Sequence, residues 1–327
     1  MAHDRTYTYS QLSAASVRRL VALHYGLREP LSCKFYVLGL HDNYLVESGG
    51  GKFILRLYRN HWRSSEEIGF ELDLLAFLQE RNGPIAAALR TVEGELAFRV
   101  ESPEGERMAA LFFYADGRSP ANSISPREGA LLGRAIAQVH QLTATFFTSY
   151  RRPALDLPYL LDASIDAVVP FIDSDARSYL YDLQEQLGAV LPGLPKEAGV
   201  YGICIGDVNP TNFHINPDDR ITLFDFDQCG YGYRAFEIGK FMASIHAHGE
   251  KRAIADAFLG GYQEERRLSR TELDMIPYFE VLSVIWVMAI HAYNVDRIGH
   301  KLLEKPFWDR RLAILRELVA RCQALPH

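Results

Sequence analysis

Between Val200 and Asp227 the chain carries a carboxylate, an amide and an acidic pair at short spacings: Asp207, Asn212 five residues on, then Asp225-Phe226-Asp227. Transfer of a phosphoryl group from a nucleoside triphosphate asks little covalent chemistry of a protein. It needs a carboxylate to orient the attacking hydroxyl and oxygen ligands to hold magnesium on the phosphates. Asp207, Asn212 and Asp225 are groups of those kinds. Phe213-His214-Ile215 and Ile221-Thr222-Leu223-Phe224 read as two short strands with Asn216-Pro217-Asp218-Asp219 as their turn, and such a hairpin sets Asn212 beside Asp225. Each motif alone would be satisfied by a turn or a solvated strand end. The two spacings and the flanking apolar segments together favour chemistry.

The run resembles the signature of the aminoglycoside phosphotransferase and choline kinase family, small-molecule kinases related to protein kinases and including homoserine-kinase-like members. That signature is His-Gly-Asp, four residues, Asn, a hairpin, then Asp-x-Asp; here it stands as Ile205-Gly206-Asp207, Asn212 and Asp225-Phe226-Asp227. The resemblance implies a two-lobed α+β protein-kinase-like fold with a small β-rich lobe and a larger, mostly helical one, and ATP in its cleft. It puts Asp207 in the catalytic role and Asn212 and Asp225 on Mg2+, with Asp227 assisting the metal or the loop. Ile205 departs from the family's His. In the protein-kinase relatives that His mainly braces the loop, so the departure bears on loop geometry, and Ile205 is expected to pack among apolar neighbours such as Phe226.

Ahead of this run lie the elements that must position a nucleotide. Ser10 to Leu27 carries apolar residues at helical spacing and reads as an amphipathic helix packed on the outside of the β segments after it. Those short β segments are Phe35 to Leu40, Tyr44 to Glu47 and Lys52 to Tyr58, with Ser48-Gly49-Gly50-Gly51 as a hairpin turn; the triple glycine lacks the Gly-Lys-Ser/Thr end of a Walker loop. Ser64 to Arg81 opens with Ser64-Ser65-Glu66-Glu67 like a helix start and carries Ile68, Leu72, Leu75 and Leu78 along one face. Arg56, a cation in a strand otherwise apolar, calls for a carboxylate partner, because burying it unpaired is costly. The family pairs a strand Lys or Arg with a helix Glu, so the resemblance implies that Arg56 touches the nucleotide phosphates and Glu71 holds it. It also implies that the turn Gly39-Leu40-His41-Asp42-Asn43-Tyr44 covers the phosphates, and that backbone groups of Phe112, Phe113, Tyr114 and Ala115 hold the adenine.

Two more β segments, Glu95 to Val100 and Arg107 to Tyr114, precede a shift in composition at Ala115-Asp116-Gly117-Arg118-Ser119-Pro120. The chain is therefore divided into residues 1–110, a helix and nucleotide-binding lobe, a hinge at 111–117, and a helical lobe at 118–327 with the catalytic loop and acceptor pocket. Helices are predicted over Pro126 to Leu142, Leu160 to Ile172 and Ser178 to Leu191, with His140 as a core or capping residue. Gly230-Tyr231-Gly232-Tyr233 reads as a short loop leading straight into a helix, Ala235 to His248. Protein kinases need a long activation segment there, and those of the serine/threonine type usually have Lys where Asn209 stands. Both features favour a small-molecule acceptor. Ile254 to Tyr262, Thr271 to Val295 and Phe307 to Leu325 are helical by period, and the resemblance makes them the acceptor walls, with Trp286, His291, Tyr293, Asn294, Asp296 and Arg297 as lining candidates.

Composition sets the outer bounds. Nearly half the residues are apolar, which makes the chain globular, and 35 basic against 41 acidic residues, a net charge of -6, offer no broad attraction to nucleic acid or an anionic membrane. Cys33, Cys204, Cys229 and Cys322 form no paired framework, which favours reduced thiols in a cytosolic, hence cytoplasmic, protein. Met1-Ala2-His3-Asp4-Arg5 opens no signal peptide, and the apolar stretch from Val281 to Ala292 falls short of the roughly 20 residues that cross a bilayer. The reading is an ATP-dependent kinase acting as a monomer or homodimer. Its acceptor is a hydroxyl of a small molecule: an aminoglycoside-like antibiotic, an amino alcohol, homoserine or a sugar. The rivals are a protein serine/threonine kinase of the same superfamily, a catalytically silent nucleotide-binding protein and a non-catalytic interaction module.

Overall fold

The computed structural model describes residues 7–27, 31–121, 123–246 and 252–323. The chain divides into two compact units, Met1–Asp116 with Thr148–Arg152, and Gly117–Phe147 with Pro153–His327.

The first unit is built on a five-stranded antiparallel sheet. Helix α1 (Ala14–Tyr25) is capped by the Ser13 side chain and closed by Gly26 in the left-handed region, φ 60. It is shorter than the apolar period suggests, because Ser13 and Gly26 stop it. Its Val17, Val21 and Tyr25 are buried in one core with Tyr44, Val46, Leu55, Leu57 and Leu111 while the residues on its other side are exposed, so it packs on the outside of the strands as an amphipathic helix, as expected. Strands β1 (Ser32–Leu38), β2 (Asp42–Ser48), β3 (Gly51–Leu57), β4 (Phe98–Ser102) and β5 (Gly105–Phe113) lie in the order β1-β2-β3-β5-β4. Ser48 pairs with Gly51, so Gly49 and Gly50 are the hairpin turn, as expected. β1 begins three residues before the predicted segment and β4 three residues after it. In both places the register is set by cross-strand pairing, which a window of residues does not contain. Helix α2 (Ser65–Glu80) starts in a reciprocal capping box between Ser64 and Glu67 and buries Ile68, Leu72, Leu75 and Leu78 together with Glu71.

A second charged group is sealed into this sheet. Arg107 is 3 % exposed; its guanidinium bonds Asp42 Oδ2 at 2.8 Å and donates to the carbonyls of Ser10, Leu57 and Tyr58, while Tyr9 Oη donates to Asp42 Oδ1 at 2.9 Å. A buried cation persists when its donors are answered in this way.

The second unit is mainly helical: α3 (Pro126–Leu142), α4 (Ala163–Val168), α5 (Ser174–Val190), α6 (Arg234–His246), α7 (Arg252–Glu265), α8 (Arg270–Tyr293), the single turn α9 (Val295–Ile298) and α10 (Lys305–Gln323). Residues 247–248 of the predicted helix over Ala235 to His248, residues 324–325 of the one over Phe307 to Leu325, and the opening Met1 to Arg5 lie outside the described residues. Two small ribbons carry the loops of interest. β7 (Phe213–Ile215) pairs with β8 (Ile221–Leu223) as predicted, and β6 (Tyr201–Cys204) pairs with β9 (Gly230–Tyr233). The second pairing corrects the expectation that Gly230–Tyr233 is a loop. Gly232 lies across from Gly202 and has the Leu155 side chain where a Cβ would go, so glycine here serves close packing of a strand. α8, with 24 residues, is longer than its most apolar stretch and is long and apolar enough to cross a bilayer by length and composition; 61 % of that window is buried within the protein.

Candidate active site

Asp207 begins the loop between β6 and β7, and its local geometry follows from the residues around it. Gly206 has φ 86, and a Cβ there would lie 2.1 Å from the Gln228 carbonyl oxygen, so the chain can turn into Asp207 at this point only as glycine. Asn212 Nδ2 donates to Asp207 Oδ2 at 2.9 Å and to the Asp207 carbonyl at 3.0 Å, which turns the amide oxygen of Asn212 the other way. Asn209 closes the turn from inside: its Nδ2 donates to the Asp207 carbonyl at 3.2 Å and its Oδ1 accepts from Thr211 N at 2.8 Å. The Phe224 amide donates to the Asn212 carbonyl at 3.0 Å, so Asn212 and Asp225 stand on neighbouring strand ends as the hairpin predicts.

Asp225 has φ 63, a left-handed conformation that a non-glycine residue holds at a cost of about 1 kcal/mol. Asp227 differs in kind: it is 1 % exposed, whereas Asp225 is partly open. Among the described residues no group of three or more His, Cys, Asp or Glu could hold a metal alone. The oxygen set of Asn212 and Asp225 instead fits Mg2+, which keeps water and phosphate oxygens as most of its ligands and takes few from protein.

Two residues that sequence reasoning passed over complete the loop, and both come from α6. Glu237 is fully buried and accepts from the Ile205 amide at 2.6 Å and the Gly206 amide at 2.7 Å, one with each carboxylate oxygen. Charge-assisted bonds of that kind are among the stronger ones a protein makes. Behind Glu237 stands His140, whose Nε2 is 3.6 Å from Glu237 Oε2. Arg266 donates to Tyr262 Oη at 3.2 Å, and Tyr262 Oη is 2.8 Å from His140 Nδ1. The tyrosine proton is thereby assigned to Nδ1, and the ring proton to the nitrogen facing Glu237. Burial pushes the His140 pKa down, against the pull of Glu237, so the ring is neutral. His140 is thus a core residue, as predicted, and Ile205 and Phe226 are each buried, 2 % and 0 % exposed. The brace expected of residue 205's side chain is supplied to its backbone.

Lys240, one turn along from Glu237, places Nζ 2.7 Å from Asp207 Oδ1; the lysine side chain is 7 % exposed and the aspartate side chain 29 %. An ammonium thus reaches the loop from a helix, although the chain carries Asn209 at the loop position. The signal was present: Glu237 and Lys240 are charges three apart in a segment otherwise reading Phe236, Ile238, Gly239, Phe241, and buried charges require partners.

In the first unit the structure joins Arg56 to Glu71, Nη1 to Oε1 at 2.9 Å, with side-chain exposures of 9 % and 1 %. Tyr58 Oη donates to the other Glu71 oxygen at 3.1 Å. Asn43 is the cross-strand partner of Arg56 on β2, and the Arg56 guanidinium lies over the Phe112 ring, 5.1 Å from its centroid. Arg56, Glu71, Asn43 and Phe112 are therefore brought together. Phe113 points to the other face, against Phe53. The amides of Phe113 and Tyr114 donate to the carbonyls of Ala87 and Lys52. Gly39 lies in the β1–β2 turn, where its amide bonds the His41 carbonyl.

Of the acceptor candidates, Trp286 is buried with Nε1 donating to Gln228 Oε1 at 3.1 Å, and Asn294 is buried with Nδ2 on the Ile290 carbonyl. Tyr293 bonds the Ala163 carbonyl at 2.9 Å, and Asp296 is exposed. His291 donates from Nδ1 to the Val287 carbonyl at 2.7 Å and faces the Phe307 ring at 5.0 Å.

Residues 35–272 match the phosphotransferase enzyme family. A protein of Synechocystis sp. is 38 % identical over 95 % of this chain and 86 % of its own length, and a homoserine kinase of Parvibaculum lavamentivorans is 26 % identical over 80 % and 78 %. Among solved structures, amicoumacin kinase hAmiN in complex with AMP-PNP, Ca2+ and Ami superposes with a TM-score of 0.78 at 20 % identity, covering 95 % of this chain and 94 % of that one. The chain belongs to the phosphotransferase enzyme family and has its protein-kinase-like fold, with a small antiparallel sheet and a mostly helical lobe. It is a phosphotransferase of that family.

Proposed function

We propose that this protein moves the γ-phosphoryl group of Mg-ATP to the hydroxyl of a small molecule. Asp207 carries the reading, because it is the partly exposed carboxylate of a loop fixed from both sides: Asn212 holds one of its oxygens and Lys240 the other. Asp207 orients the acceptor hydroxyl and takes its proton as the hydroxyl oxygen bonds to the γ-phosphorus and the bond to the β,γ-bridging oxygen breaks, releasing ADP. Asn212 and Asp225 would hold Mg2+, which when bound offsets charge on the phosphate oxygens. Lys240 holds the Asp207 carboxylate in place. Arg56, oriented by Glu71, binds phosphate oxygens, and Asn43 stands beside it. Gly39, Phe112, Phe113 and Tyr114 shape the nucleotide side, and Asp227, being sealed, supports the loop in preference to binding metal.

The test separates the roles. Asp225→Ala should lose Mg-ATP binding by calorimetry, whereas Asp207→Asn should bind Mg-ATP nearly as the parent does and lose most of kcat in an ATP-consumption assay. Loss of nucleotide binding in Asp207→Asn, or full kcat, would show that the roles are assigned wrongly.

A further inference from the structure

Lys240 and Asp207 meet at 2.7 Å inside the second unit, and the lysine side chain is 7 % exposed. An ammonium carries three N–H bonds and no acceptor, and one carboxylate oxygen answers one of them. Among the described residues Asp207 is the one ion-pair or hydrogen-bond partner of Lys240. Donors drawn out of water without an acceptor are costly, so the remaining N–H bonds call for an oxygen that a ligand brings.

A second donor borders the same turn. Gln228 is 6 % exposed, and a Cβ on Gly206 would lie 2.9 Å from the Gln228 Cβ, so the glutamine stem packs on the residue that leads into Asp207. An indole N–H can only donate, so the bond from Trp286 Nε1 assigns Oε1 of Gln228 to the indole and leaves the two N–H bonds of Nε2 outside it. Nε2 has no partner among the described residues and is not a sealed atom. The nearby carboxylates are in the opposite condition. Glu237, the one acidic residue of α6, answers two backbone amides; Asp227 is sealed, and Asp225 stands beside Asn212 as a ligand for the metal. None of the three is spare for a cation.

Resting on the reading of Asp207 as the group that receives the acceptor's proton, we propose that the acceptor carries an oxygen, and not an ammonium, on the carbon next to its reacting hydroxyl: the hydroxyl donates to Asp207 while the neighbouring oxygen accepts from Lys240. Oxygens on adjacent carbons stand about one hydrogen-bond length apart, as do Nζ and Oδ1, so a 1,2-diol or a 2-hydroxy acid spans the ion pair two-pronged. The class is thereby polyols, sugars and hydroxy acids. A 1,2-amino alcohol offers Lys240 no acceptor and sets like charge against it.

The test uses the full chain with Mg-AMP-PNP and matched pairs that differ in the group on one carbon: glycerol and 2-amino-1,3-propanediol, glycerate and serine, glucose and glucosamine. Binding is read by calorimetry, independently of turnover. In at least one pair the oxygen member should bind ten-fold or more tightly than the amine. Lys240→Met should bring that ratio close to one, whereas Lys240→Arg, which keeps charge and donors, should preserve the preference; Lys240→Gln takes the place of Lys240→Met should the latter not fold. A lysine that only steadies Asp207 would weaken both members alike and leave the ratio where it was. That result, preference for the amines, or binding of no pair would overturn the proposal. ATP consumption is scored separately. Preference for the oxygen members without phosphoryl transfer would keep the two-pronged site and remove the phosphotransferase reading, whereas transfer to the amines alone would do the reverse.

Discussion

Glu237 answers two backbone amides with two carboxylate oxygens, and no other side chain of its size does so without adding a donor. Glu237→Gln keeps one acceptor but turns an NH2 group toward an amide that can only donate. The buried amide left unanswered costs about 1–3 kcal/mol, and the loop carrying Asp207 loosens. We expect kcat to fall by one to two orders of magnitude while Mg-ATP binding, measured by calorimetry, changes little; an unchanged kcat would show that the brace is dispensable. Asp207, Asn212 and Asp225 are legible in the sequence because one loop and one hairpin contain their spacing. Glu237 and Lys240 are not, because a helix further along the chain meets the loop only through tertiary packing, and the chain shows their charge without showing their partners. Asn209 shows the converse limit. It marks where a lysine is missing from the loop, but not that Lys240 arrives from elsewhere.

At the scale of elements, β3 and α2 meet through Arg56 and Glu71. Removing one member of a buried ion pair costs about 3–5 kcal/mol, because the survivor is left charged without a partner. Glu71→Ala should therefore weaken Mg-ATP binding nearly as much as Arg56→Ala, although Glu71 itself would touch no phosphate, and the double variant should lose little more than either single one. A double-mutant cycle on nucleotide affinity checks this; strictly additive losses would mean that the two do not act as a unit. This pair was legible because a cation in an apolar strand and a Glu beside an apolar helix face each imply a partner. Strand limits were less so, as β1 and β4 show, and β9 was hidden by its glycines, which read as a loop until β6 is seen to lie against them.

Across the molecule, pH should act through Glu280. It is 7 % exposed, and burial lifts its pKa from the ordinary value to about 7, outweighing the half-exposed Arg321 guanidinium 2.7 Å away. Between the unfolded value of 4.5 and about 7 the native state holds a proton that the unfolded state has released, so stability falls as pH rises through that window. The loss attributable to this group is about 3 kcal/mol. His140 acts in the opposite sense: its pKa is lowered, and the stability it confers is lost as pH falls below the unfolded histidine value. Urea unfolding at pH 5 and pH 8 should therefore show Glu280→Gln gaining on the parent at the higher pH, and parallel curves for the two proteins would exclude the effect. Arg107 has a consequence of another sort. Its acceptors include the Ser10 carbonyl, and its partner Asp42 is bonded by Tyr9. A protease cutting just after Ser10 would not trim a tail; it would withdraw two counter-groups from a sealed ion pair, while a cut before Tyr9, or a purification handle joined there, would leave that pair whole.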